Sequence, residues 1–96
     1  MDSKVRISDL ENIISETLFI KIEKWNLYLG DAGLARNLAI ECIRNEDQDR
    51  LEAAKKSLNS ISVKVGDGVE SIPLIKLITN SQIFELEEIL ESYFNN

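Results

Sequence analysis

The side chains that carry most acid–base and metal chemistry in proteins are scarce in this chain. It has no histidine, which removes the commonest general base and the commonest neutral metal ligand. Its single cysteine, Cys42, can form neither an intrachain disulfide nor a thiolate zinc site. As a nucleophile, Cys42 would lack the imidazole that usually activates a thiol. As a small apolar residue on the packed edge of a helix, it needs no partner. Carboxylates are plentiful: Glu46, Asp47 and Asp49 cluster, as do Glu87, Glu88 and Glu91. Neither group has the spacing of a calcium loop or a magnesium motif. Charge runs of this kind read as solvated helix faces or as partners of a helix N-terminus. The expectation is a protein without enzymatic activity, with no catalytic residues, no metal ligands and no cofactor.

Two other constellations have readings beyond structure. Gly66-Asp67-Gly68 has the composition of a phosphate-binding loop but lacks its lysine and its spacing. Set between alternating runs, it reads as a hairpin turn, in which glycine supplies positive φ. Its tip would offer Lys64, Asp67 and Glu70 to a partner. Trp25 and Tyr28 fall one turn apart if the segment is helical, on a face shared with Ile22 and Leu29. They read either as core or as an aromatic anchor for a partner, since Trp and Tyr lead among interface hot spots. Lys24, Asp31 and Arg36 would then form the polar rim.

The elements that must hold these residues follow from periodicity. Ser8-Asp9-Leu10-Glu11 has capping-box spacing, and Leu10, Ile13, Ile14 and Leu18 repeat at helical intervals, so residues 8–17 are predicted helical. Thr17–Ile22 is ambiguous, because its β-branched and aromatic residues also suit a strand. Read as helix, Ile22, Trp25, Leu29, Ala32, Ala39 and Ile43 form one stripe. A bend near residues 17–19 and a long helix from Ile20 to Arg44 are therefore expected. Gly30 and Gly33 would each cost that helix about 1 kcal/mol relative to Ala, and would mark a kink or a close approach of another element. A third helix is expected over residues 47–58, with Leu51, Ala54 and Leu58 on one face. From Ile61 the period changes to two, and an antiparallel hairpin is expected over about residues 61–72. Pro73 suits the start of a short apolar helix. Asn80 or Ser81 would cap a last helix, with Ile83, Leu86, Leu90 and Tyr93 inward and Glu85, Glu88 and Glu91 elsewhere. The fold class is α+β, mainly α, with four to five helices and one β-hairpin, in a single domain over residues 3–95.

Composition narrows the function classes. The chain has 96 residues, 44% hydrophobic and 29% charged, which is globular rather than disordered composition. Its net charge is −6, and residues 61–96 carry two basic against six acidic side chains. Such a surface repels phosphate backbones and anionic lipid, so nucleic acid is not an expected partner. No apolar run is long enough to span a membrane and no signal peptide is visible. A basic patch on another protein would be attracted.

Lys24-Trp25, Leu27-Tyr28-Leu29 and Asp31-Ala32, with Val63-Lys64-Val65-Gly66-Asp67-Gly68 and Ile72-Pro73-Leu74, resemble a family of small cyanobacterial proteins classed as a domain of unknown function. The resemblance covers about residues 10–93. Gly30 and Gly33 depart from it, since larger residues are expected there. It implies a cyanobacterial, cytoplasmic protein and supplies no catalytic residues. The leading functional expectation is a non-enzymatic interaction module that binds a partner protein or a second copy of itself. It would act through the Trp25–Tyr28 face and an acidic C-terminal face. The alternative is a small-ligand domain with a pocket between the hairpin and the Trp25 helix, lined by Trp25, Tyr28, Val63 and Ile72.

Overall fold

Apolar residues at helical spacing build most of the structure, and two short alternating stretches build the rest. The computed structural model describes residues 3–22, 25–65 and 70–94. Among them, α1 spans Ser3–Thr17, α2 Ala35–Arg44, α3 Arg50–Ser60 and α4 Asn80–Phe94, with a 3-10 helix at Leu74–Leu77. Strands β1 (Phe19–Ile22) and β2 (Trp25–Tyr28) form one antiparallel pair, and β3 (Ser62–Val65) and β4 (Glu70–Pro73) form another. The class is α+β, mainly α. The hairpin expected at residues 61–72 is present as paired strands, with Val63 opposite Ile72 and Lys64 opposite Ser71. Its turn, Gly66-Asp67-Gly68, lies outside the described residues.

The long helix expected over Ile20–Arg44 does not form: its first part is a second antiparallel strand pair, and only Ala35–Arg44 is helical. Residues 19–28 are rich in β-branched and aromatic types, which favour a pleated, half-buried surface. They pair as Phe19 with Tyr28 and Ile20 with Leu27, and Ile20 is buried. The Leu29 N–H then donates to the Leu18 carbonyl at 2.9 Å, which extends the ladder by one bond. Both glycines serve the turn that follows. A Cβ on Gly30 would lie 2.7 Å from the Ser15 Cβ, so the chain after β2 passes directly against Ser15 of α1. Gly33 has φ +74°, in the left-handed region where a side chain is strained. The larger residues expected at these two positions would clash at one and be strained at the other.

Helix ends are set differently from the sequence expectation. Ser8 sits inside α1 rather than at its cap, and Glu11 reaches across to Arg36 at 3.2 Å instead of closing a capping box. At α4 the cap is Thr79, not Asn80 or Ser81: its hydroxyl accepts the Gln82 N–H at 3.3 Å. Gln82 stands at the capping-box position, but its side chain is used elsewhere. Buried among apolar residues, its Oε1 accepts the Phe19 N–H at 2.8 Å. The first residue of β1 is thereby tied to the first turn of α4.

The core joins all these elements. Leu10, Ile14, Leu18, Leu29, Leu38, Leu58, Leu74, Leu86 and Leu90 have no solvent exposure. Helix α1 lies along α2, α3 along α4, and α2 meets α3, while β4 packs on α3 and the 3-10 helix. Helices α1 and α4 touch only sparingly, and the space between them stays open.

Candidate functional site

The open seam between α1 and α4 forms a groove of about 340 Å³, lined by Ile13, Glu85, Glu88, Ile89, Ser92 and Tyr93. The five α4 residues recur at intervals of three and four, so they form one stripe along the helix. That stripe lies beside the buried row of Ile83, Leu86 and Leu90. On α1, Ile13 sits next to buried Ile14 but remains 40% exposed, because α4 does not close over it. One turn to either side of Ile13, Asp9 and Glu16 are also exposed. The groove thus has an apolar floor and carboxylates along its edges. Phe84, 53% exposed, stands on the outer shoulder of α4 one turn before Glu88.

At one end the groove is closed by a polar clasp. The Arg6 guanidinium donates two hydrogen bonds to the Glu46 carboxylate, which holds that carboxyl below its ordinary pKa. The Tyr93 hydroxyl donates to the Arg6 carbonyl. Burial raises the Tyr93 phenol, Arg6 opposes the shift, and the charges of Asp9 and Glu46 add to it. Arg50 donates to the Glu46 carbonyl at 2.8 Å and lies over the Phe94 ring, 4.7 Å from its centroid. These contacts join the start of α1, the α2–α3 connection and the end of α4.

At the other end a second groove, about 400 Å³, is lined by Phe19, Asn26, Leu77, Thr79, Ser81, Gln82 and Glu85. Glu85 belongs to both grooves. The two grooves thus meet at Glu85, and the α4 residues that line them run from Ser81 to Tyr93. Among the described residues, no group of three carboxylate or thiol side chains is placed to hold a metal ion. Cys42 is fully buried, and burial pushes its thiol up to about 12, so the nucleophilic thiolate is not formed at neutral pH.

A family described as protein of unknown function (DUF3181) matches residues 7–93. The chain belongs to this family. A thylakoid-associated protein of the cyanobacterium Synechocystis sp. is 32% identical over 82 residues, covering 83% of this chain and 81% of that protein. No solved structure matches the chain significantly.

In this DUF3181 member the described residues among those singled out from sequence lie on two separate two-stranded sheets, in the turn after β2 and, for Arg36, on α2. Trp25 lies on β2 opposite Ile22, its side chain outside the described ones, and the one-turn spacing that joined it to Tyr28 has no meaning in a strand. Tyr28 is 39% exposed, with its ring 5.4 Å from that of Phe19. Asp31 is exposed in the turn after β2 and Lys64 is exposed on β3. Lys24 and Asp67 lie outside the described residues, and Arg36 is engaged by Glu11. The two grooves are lined by neither Val63 nor Ile72, and no Trp25 helix exists to wall a pocket. Sequence reasoning missed the α1–α4 groove. Its signal was an excess: Ile13 on α1, and Phe84 and Ile89 on α4, are apolar residues beyond what one buried face needs.

Proposed function

We propose that this protein is a non-enzymatic interaction module of the cyanobacterial cytoplasm that docks on another protein through the outer face of α4 and the adjoining edge of α1. The observation that carries this reading is the exposure of Ile13 and Phe84 on a face that also bears Glu85 and Glu88. Ile13 is gathered with Ile89 and Tyr93 along one groove, and a contiguous apolar strip rimmed by charge has the make-up of a partner surface. The family relationship supplies a setting. A relative is thylakoid-associated, and no helix among the described residues is long and apolar enough to cross a membrane. With a net charge of −6, attachment to anionic lipid is opposed. Attachment to a thylakoid would therefore run through a protein.

The test is co-sedimentation of the purified chain with cyanobacterial thylakoid membranes. The chain is expected to pellet with salt-washed membranes, to be released when those membranes are shaved with trypsin beforehand, and to ignore protein-free vesicles of thylakoid lipid. Equal binding to protein-free vesicles, or none to any membrane, would contradict the reading. A small-ligand domain is the second reading. It draws on the second groove, whose volume of about 400 Å³ lies in the range that small molecules occupy. A melting-temperature rise with a metabolite at saturating concentration would favour it.

A further inference from the structure

We infer that the α1–α4 groove receives a basic amphipathic helix presented by the partner protein. This rests on the interaction reading above and names the chemistry of what is bound. Three features select that occupant.

Shape is the first. The groove floor is apolar at Ile13, Ile89 and Tyr93 and runs along α4 as a continuous stripe. Between α1 and α4 it runs from Glu85 to Tyr93, roughly 12 Å at 1.5 Å per residue, which matches about two helical turns of a third helix. A helix laid in such a trough buries apolar anchors spaced three and four apart.

Charge is the second. Glu85 and Glu88 line the groove, and Asp9 and Glu16 flank Ile13 on α1. Among the described residues, none of these four carboxylates forms an ion pair. Arg6, at the Tyr93 end of the groove, is committed to Glu46. An occupant with Lys or Arg beside its apolar stripe would meet opposite charge on both walls. An acidic one would meet like charge, which is strongly disfavoured across an interface.

The third feature is what the charge excludes. Symmetric pairing of two copies through α4 would bring two Glu85 and two Glu88 carboxylates into one interface with no cation among the groove's lining residues, so a second copy in that arrangement is a poor occupant. Lipid headgroups that carry phosphate are repelled for the same reason.

The test uses a fluorescein-labelled Lys/Leu amphipathic helix of about 18 residues, with a Glu/Leu counterpart and a scrambled Lys/Leu peptide that has no apolar stripe. Fluorescence anisotropy measures binding to the full chain and to two double variants of equal net charge. E85K/E88K alters the groove, and E52K/E70K alters exposed carboxylates on α3 and β4. Circular dichroism melts verify that both variants fold. The Lys/Leu helix is expected to bind the wild type and E52K/E70K alike, and to lose about tenfold or more in affinity for E85K/E88K. The other two peptides should bind weakly. Four results would overturn the inference: equal loss in both variants, equal binding of the scrambled peptide, no binding of the Lys/Leu helix, or a wild-type dimer in light scattering that E85K/E88K dissolves. If the helix fails to bind while the chain still pellets with washed membranes, the groove assignment falls and the interaction reading stands.

Discussion

Gly30 and Ser15 show how much a single contact decides. The 2.7 Å approach that a Cβ on Gly30 would make to the Ser15 Cβ means that Gly30→Ala must displace α1 or the β2 exit. Overpacking of this kind costs about 1–3 kcal/mol. The loss should appear as a lower urea midpoint with unchanged m-value, and S15G/G30A should lose less than the sum of its two single variants, because the obstructing Cβ is gone. Glu46 gives a residue-scale prediction with a sign. Its hydrogen bonds from Arg6 lower its folded pKa, so its contribution is present above the unfolded value and is lost as pH falls through the lowered one. The melting-temperature gap between wild type and Glu46→Gln should therefore be widest near neutral pH and close in acid. A gap independent of pH would mean that the pair contributes nothing through charge. Cys42, buried with its thiol raised to about 12, should leave the native chain inert to thiol reagents.

Among the elements, Gln82 is the tie whose loss is most informative. Gln82→Leu keeps the volume at the α4 start but leaves the Phe19 N–H without the acceptor it has at 2.8 Å. Stranding such a donor costs about 1–3 kcal/mol. Amide exchange should accelerate first in β1 and β2, with α3 following only at global unfolding; uniform acceleration would argue against a local tie. Most elements were legible in the sequence. Leu10 and Ile14, Ala54 and Leu58, and Leu86 and Leu90 announced their helices by spacing, and Val63 and Val65 announced β3 by alternation. The segment from Phe19 to Tyr28 was not legible, because its apolar residues satisfy both periods. What settles it is tertiary: the fit of Gly30 against Ser15 and the pairing of Ile20 with Leu27. The groove was half legible. Its carboxylates were visible as residues off the buried face, but the apolar floor reads as core until α1 and α4 are seen to diverge.

Taken whole, the described residues form one buried cluster that joins every helix and leave, on one side, an open groove between α1 and α4. Cys42 makes that groove accessible to a direct measurement, because its inertness leaves an introduced surface cysteine as the sole labelling site. Ser92 is exposed and lines the groove; Glu52 is exposed on α3. A photo-crosslinker on Ser92→Cys, activated after mixing with salt-washed thylakoid membranes, should give a covalent adduct with a membrane polypeptide, and excess Lys/Leu helix should suppress it. The same label on Glu52→Cys should give no such adduct. Adducts of equal yield at both positions, or an adduct at Ser92→Cys that the basic helix does not compete away, would contradict the claim that the partner sits in the α1–α4 groove.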